Sequence, residues 1–313
     1  MAVIISATQT KELIGMAGAL QAVEAIFHDR ARGKIRSLPR RRLKGSRKQL
    51  NVMAAWHETW DMTCLRAYGG AANTITLYSG RTGEILAIID MHYLSSLRTG
   101  AASGVAARYL APSSPQTLGI IGTGRQARFQ IESIVHSFPI EKIIVFGRDP
   151  GRQDEFIRNM SALSPAAWQQ AASIAEVEAE ADILVVSTNA SVPVIDGRSL
   201  KEKVLVVSMG ANGRDKHEVS GTLIRAMDLI VTDDLATAQS GSGDLIAACE
   251  AGAIQWSDIQ PLEKIVAAGA PLPRPNRILF QSNGIADEDL AVGRYVFEQA
   301  MERKFTLTRV TEI

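Results

Sequence analysis

The sequence predicts an α/β chain in two parts. One is a central parallel sheet of alternating strands and helices over residues 113–286. The other is an α+β domain built from residues 1–112 together with the tail, 287–313. Three observations carry this. Short apolar runs in the middle of the chain alternate with stretches of helical period. A glycine-rich turn joins the first such run to the first such helix. The N-terminal third lacks that alternation, and the tail changes to one long amphipathic segment.

Residues 10–32 set Leu13, Met16, Leu20, Val23, Ile26 and Phe27 at helical spacing, which predicts a helix. Residues 74–77 and 85–89 read as strands joined by a turn at 79–83, and 93–109, rich in small residues, read as a closely packed helix. Prolines 112 and 115 then punctuate the chain. Beyond them the apolar runs 117–121, 142–146, 183–187, 204–208 and 229–231 alternate with helical stretches at 127–136, 153–162 and 220–226, the pattern of parallel βαβ units. A second break falls at Pro271, Pro273 and Pro275. Residues 287–301 read as a helix and 305–310 as a strand, and the tail is expected to rejoin the N-terminal third.

Composition excludes several classes. Lys plus Arg is 34 and Asp plus Glu is 33, a net charge of +1, which argues against a nucleic-acid binder. No apolar run approaches the roughly 20 residues that span a bilayer. Residues 1–10 lack a basic region followed by an apolar one, so no secretory signal is expected. Two cysteines, Cys64 and Cys249, and five scattered histidines give no metal-ligand pattern, and no metal is expected. A reducing cytoplasm follows as the expected location.

The segment Gly122-Thr123-Gly124-Arg125-Gln126-Ala127 matches the Gly-x-Gly-x-x-Ala fingerprint of dinucleotide binding, and it lies where the motif must, after a strand and opening a helix. Gly122 permits the tight turn, Gly124 lets backbone amides approach a pyrophosphate, and Ala127 lets the helix sit close to the sheet. The helix N-terminus offers free N–H groups and a positive dipole end. The middle domain is therefore expected to be of Rossmann type. The next strand ends Gly147-Arg148, with no acid at 147 to hold a ribose hydroxyl. Arg148 suits a 2′-phosphate, so NADP(H) is expected over NAD(H). Asp149, one residue on, is the competing ribose ligand.

Two longer stretches carry a resemblance. Leu97-Arg98-Thr99-Gly100-Ala101-Ala102-Ser103 and Gly119 to Ala127, with Ser187-Thr188, Gly210-Ala211-Asn212, Glu218, and Ser282 to Ala286 followed by Asp289, resemble the ornithine cyclodeaminase/mu-crystallin family in order across nearly the whole chain. The resemblance implies a homodimer. Its Rossmann domain lies in the middle, and the N-terminal part plus the tail form a substrate and dimerisation domain. It implies hydride transfer at the α-carbon of a small amino or imino acid. Arg98 takes the role of gripping the substrate carboxylate, with Arg41, in the run Pro39 to Arg42, as a second carboxylate-binding arginine. Thr99 and Thr188 are implied as cofactor contacts.

Two positions depart from the family pattern. A lysine is usual where this chain has Arg66, or Cys64 under a shifted alignment. An aspartate that handles protons in ornithine cyclodeaminases is replaced by Asn212. Arginine stays protonated and asparagine has no titratable proton, so neither relays protons at pH 7. Asn51 also stands where ornithine-handling members carry a glutamate. The expected activity is thus reduction of a small cyclic ketimine carboxylate, with Arg66 and Asn212 at the reacting centre. Ornithine cyclodeamination and alanine-dehydrogenase-like activity are the alternatives within the family, and a cofactor-binding protein with little catalysis is the alternative outside enzymology.

Other candidates read as structural. His57, among Trp56, Glu58, Trp60 and Asp61, is expected in an exposed loop or hairpin. His92 and His217 read as structural or exposed, and Cys249 as a small buried hydrophobe. Asp233 and Asp234 lie at a strand's carboxyl edge, with helix capping as the alternative to ligand binding. Residues 240–244 are expected to form a flexible loop near that edge.

Overall fold

A computed structural model describes residues 2–46, 48–270 and 273–310. Pro271 of the second proline break lies outside them. The chain divides into two compact units, Met1–Thr99 with Gly284–Ile313, and Gly100–Asn283.

The first unit opens with β1 (Ala2–Ile5), α1 (Ala7–Leu13) and α2 (Met16–Ala31), continues through β2 (Ile35–Lys44), β3 (Gln49–His57), β4 (Met62–Gly69), β5 (Ala72–Ser79) and β6 (Ile85–Asp90), and enters α3 (Leu94–Leu110). The expected helix over 10–32 is broken into two, because Ile14 is extended and Gly15 caps α2. The second unit runs β7 (Thr117–Ile121), α4 (Arg125–Ser137), β8 (Lys142–Phe146), α5 (Pro150–Met160), β9 (Ala167–Gln170), α6 (Ile174–Glu180), β10 (Ile183–Val186), β11 (Ser191–Ile195) and β12 (Val204–Ser208). It continues with β13 (His217–Val219), α7 (Gly221–Arg225), β14 (Leu229–Thr232), α8 (Leu235–Gly241), α9 (Gly243–Glu250), β15 (Ile259–Pro261), α10 (Leu262–Ala268) and β16 (Arg277–Gln281). The chain then supplies α11 (Ala286–Glu302) and β17 (Thr308–Val310) to the first unit. The boundary expected at 112/113 falls instead at 99/100, inside α3. There Gly100 lies against the backbone of Phe129 in α4, so closely that a Cβ would come within 2.4 Å of that carbonyl oxygen.

In the first unit the described strands form one sheet in the order β17-β1-β6-β5-β4-β3-β2, antiparallel except for β1 against β6. Its two faces differ in kind. Met53, Arg66, Ile75, Ile89 and Ile5 are cross-strand partners in one buried row, on the face where Gly293 of α11 packs against Ile75 and Leu77. Leu38, Ala54, Leu65, Thr76, Ile88 and Ile4 form a row on the opposite face, half-buried or exposed. The strands β2 to β4 were not foreseen from sequence. The expected hairpin is there, β3 and β4 pairing antiparallel about residues 58–61, but His57 at the end of β3 is fully buried and not exposed.

The second unit is built on a parallel sheet in the order β15-β14-β16-β12-β10-β7-β8-β9. Its central strands β10 and β12 are buried along their whole length, as strands covered on both faces are. The order reverses between β7 and β10, and α/β sheets bind ligands beyond the carboxyl ends of strands at such a switch point. No helix among the described residues is long and apolar enough to cross a membrane.

Candidate functional site

The second unit presents a glycine turn and a helix N-terminus at the switch point, the geometry a dinucleotide requires. Gly122 follows β7 with φ +102°, and a Cβ there would lie 2.5 Å from the Ser187 carbonyl oxygen. Only glycine fits that turn. Gly124 differs: it caps α4, and a Cβ would meet nothing within 4 Å. The protein's own packing therefore does not demand glycine at 124, whereas close approach of a pyrophosphate to the helix N-terminus does. Ala127 is fully buried, Arg125 is exposed, and the Gln126 Oε1 is buried with no hydrogen bond among the described residues. Thr188 lies beside Gly122, its methyl 3.2 Å from the same Cβ position. These features fit a bound dinucleotide.

After β8 the loop is pinned by buried Gln153, whose amide bonds Val145 O at 2.7 Å and Ala171 O at 3.0 Å and accepts from Gly147 N at 3.2 Å. This leaves Arg148 exposed. Asp149 is engaged in capping α5, accepting from Arg152 N at 3.0 Å.

Glu218 ties the strand ends together. One carboxylate oxygen accepts from Thr188 N (2.5 Å) and Thr188 Oγ1 (2.8 Å), and the other from Ser208 Oγ (2.8 Å), Met209 N (3.1 Å) and Gly210 N (2.6 Å). Burial pushes its carboxyl up to about 7 against the pull of these donors. Asn212 lies on the exposed turn after β12 and donates Nδ2 to Met209 O at 3.4 Å. Of the two acids at the end of β14, Asp234 caps α8 through Thr237 N. Asp233 is buried and accepts from Asn283 N at 2.7 Å, which links β14 to the segment after β16.

The first unit holds a buried charge cluster. Arg98 donates Nε to Asp289 Oδ1 at 2.9 Å and Nη1 to Glu288 Oε2 at 2.8 Å, and all three side chains are buried. Arg66, on β4, places Nε 3.4 Å from Asp289 Oδ2, donates Nη1 to Thr74 O at 3.1 Å and lies over the Tyr68 ring at 4.8 Å. Burial pulls the Arg66 guanidinium down, while the two carboxylates hold Arg98 up against the cost of its own burial. Cys64 shares the Arg66 face, but burial pushes its thiol far up and its Sγ meets Ala286 O at 3.7 Å. It is Arg66 that joins Asp289.

Arg41 does not join the cluster. The pairing of β2 with β3 shifts between Leu38 and Arg41, and this bulge reverses the alternation. Arg41 consequently pairs with Val52 and is exposed. Arg40 turns inward instead, buried, with Nη2 donating to Gly284 O at 3.1 Å. Gly284, at φ +75°, also backs Arg98: a Cβ there would lie 2.6 Å from Arg98 Nη1. Thr99, next to Arg98, donates its hydroxyl to Ser95 O one turn back.

Arg40, Tyr68 and Glu288 were given no role from the sequence, and Gly284 stood only within the family stretch Ser282 to Ala286. The acidic run Asp287-Glu288-Asp289 was visible, but acids in the first turn of a helix ordinarily read as partners of its dipole.

His57 forms a separate cluster. Nε2 is 3.1 Å from Asp29 Oδ2, Nδ1 accepts from Trp60 N at 3.2 Å, and the ring stacks on Trp60 at 3.7 Å. Burial lowers its pKa despite Asp29. With both ring nitrogens engaged inside the fold, His57 is structural.

Comparison with known proteins extends this geometry. An alanine dehydrogenase of Archaeoglobus fulgidus is 30% identical over 312 residues, covering 96% of this chain and 95% of its own. The structure of Thermococcus litoralis Δ1-pyrroline-2-carboxylate reductase in complex with NADH and L-proline superposes with a TM-score of 0.91 at 29% identity, covering 98% of this chain and all of that one. An archaeal alanine dehydrogenase dimer with bound NAD superposes at 0.92 with 27% identity, covering 100% of this chain and 99% of that one. A model of the ornithine cyclodeaminase/mu-crystallin family matches residues 1–304, and the chain belongs to that family.

Proposed function

We propose that this chain is an oxidoreductase that reduces a small cyclic ketimine carboxylate at its α-carbon, using NADP(H) in preference to NAD(H). The observation that carries the reading is the buried pair Arg98 and Arg66 on Glu288 and Asp289, with buried Arg40 on the Gly284 carbonyl that backs Arg98. Guanidinium groups gathered in a desolvated setting, with donors on more than one of them, suit a substrate carboxylate. Arg98 already spends Nε and Nη1 on its acids, so the grip is shared with Arg66 and Arg40. Arg40 takes the role the sequence resemblance assigned to Arg41.

Gly122, Thr123, Gly124, Arg125, Gln126, Ala127 and Thr188 would hold the dinucleotide, and Arg148 its 2′-phosphate, with Asp149 committed to its cap. A reduced nicotinamide supplies a hydride when bound. Arg40, Arg66 and Arg98 fix the carboxylate and so orient the imine carbon. An imine nitrogen that enters protonated needs no proton relay, which suits Arg66 and Asn212, neither of which titrates near neutrality. Full cyclodeamination of ornithine needs such a relay. The pyrroline-2-carboxylate reductase solved with L-proline supports a cyclic substrate.

The homodimer is proposed on the outer face of the first unit's sheet. Leu38 and Leu43 on its edge strand are 65% and 64% exposed, Leu38 in the row of Leu65 and Ile4 and Leu43 opposite exposed Leu50, and a second copy of this chain would cover them. The archaeal alanine dehydrogenase solved as a dimer supports a homodimer, and the exposed leucines are the reason for this face. A cytoplasmic location is proposed for a chain whose cysteines are both free.

The test is NADPH oxidation by purified protein with pyrroline-2-carboxylate or piperideine-2-carboxylate, beside ornithine with NAD. Ketimine turnover without ammonia from ornithine is expected. Ammonia and proline from ornithine would overturn the reading.

A further inference from the structure

We infer that Gly243 and Asp244 are positioning residues for the dinucleotide edge, holding segment 211–219 by both of its ends. The inference rests on reading that edge as the cofactor site. The segment leaves β12, carries Asn212 and ends in Glu218, whose carboxylate joins the ends of β10 and β12. Within the segment Lys216 N donates to Gly213 O at 2.9 Å and β13 at its end pairs with β11, so its start and its approach to β13 must be fixed from a further element.

The first turn of α9 does so. Gly243 N donates to Ala211 O at 2.9 Å, at the start of the segment. Both carboxylate oxygens of Asp244 accept from Glu218 N at 3.1 Å, and one accepts from Val219 N at 3.1 Å, at its end. Between these points the loop closes on Gly243 itself: a Cβ there would lie 2.0 Å from Lys216 O and 2.6 Å from Gly213 O. Asp244 is buried, and His217 Nδ1 stands 3.4 Å from its Oδ1.

Asp244 is not serving its own helix. Ser242 occupies the N-cap and makes no capping bond, and its buried hydroxyl has no hydrogen-bond partner among the described residues. The carboxylate is turned to the loop instead. The expected flexible loop at 240–244 is in fact the end of α8, Ser242 and the start of α9. Because Glu218 N is held, the Glu218 side chain reaches Thr188 and Gly210 from a fixed backbone, and the rim that Thr188 shares with Gly122 keeps its shape.

The test uses the full chain with D244N, in which an amide N–H₂ faces backbone N–H groups, and with G243A, in which the loop carbonyls must withdraw. NADPH dissociation constants, imino-acid KM and hydrogen exchange over 211–219 are measured for each. Expected are a rise of about tenfold in NADPH Kd, an imino-acid KM within about twofold of wild type, and faster exchange at Glu218 and Val219 than elsewhere in the sheet. Wild-type exchange and wild-type NADPH affinity in D244N would overturn the inference, and G243A is judged by the same readouts should D244N not fold. A wild-type chain that binds no NADPH would overturn the cofactor reading, while exchange over 211–219 would still decide whether Asp244 holds the segment.

Discussion

Arg98 and Asp289 form a buried ion pair, Nε to Oδ1 at 2.9 Å, that fastens α3 to the first turn of α11. Glu288 adds a second carboxylate to the same guanidinium at 2.8 Å. The residue assigned to grip the substrate is therefore itself gripped, and its free edge is aimed by two acids and the Gly284 backbone.

Removing one acid leaves Arg98 and Arg66 undercompensated. D289N is expected to lower unfolding stability by about 3–5 kcal/mol, the usual cost of breaking a buried pair from one side. Denaturant titration checks this. A loss below 1 kcal/mol would show that the pair is solvated in solution.

Arg66 keeps its proton over the working pH range, so it adds no ionisation to the rate. R66K keeps a cation but introduces a side chain that titrates when buried. Its ketimine kcat profile is expected to gain an ionisation between about pH 6 and 9 that wild type lacks. Superimposable profiles would place residue 66 away from the reacting centre.

Gly122 is required by its own backbone, and the proposed cofactor would pass beside it. G122A forces a side chain into φ +102° and against Ser187 O. NADPH affinity is expected to fall at least about tenfold, or 1.4 kcal/mol, with the imino-acid clamp unaffected. Fluorescence titration measures it, and an unchanged Kd would refute the proposed cofactor site.

Burial sets a pH dependence in the second unit. The Glu218 and Asp244 carboxyls are raised from ordinary values near 4.5 and 3.8 to about 7. Raised carboxyls bind protons in the folded chain that the unfolded chain releases, so their contribution to stability falls as pH rises from about 4 to 7. Buried His57, with its lowered pKa, acts in the opposite sense. The difference between wild type and E218Q isolates the first effect: wild type is expected to lose stability relative to E218Q between pH 5 and 7.5. A constant difference across that range would mean that the five donors hold Glu218 ionised throughout.

Much of this was legible in the sequence where the signal is local. The strand, Gly122 turn and α4 are adjacent in the chain, and each position has one dominant reason for its residue. Arg98 was found because Leu97 to Ser103 resembles a hallmark stretch of the family. Arg40 was not, because a single bulge in β2 exchanges the faces of two adjacent arginines, and periodicity cannot place a bulge. Glu288 and Asp289 lie about 190 residues from Arg98, at separations of 190 and 191, and nothing local marks their pairing. His57 was read as lying in an exposed loop or hairpin because its segment falls between strands, and the hairpin is there. The burial of His57 comes from Asp29 and Trp60 closing on it. Residues 240–244 carry loop composition, yet Gly243 is small because the loop beside it leaves no space.

The central claim is that the arginine cluster binds the substrate carboxylate and not the cofactor. The most direct test is R98A, assayed for pyrroline-2-carboxylate reduction and for NADPH affinity on the same preparation. Turnover is expected to fall by at least about a thousandfold, with NADPH Kd within about threefold of wild type. Equal losses in turnover and in NADPH affinity, or full turnover without Arg98, would contradict it.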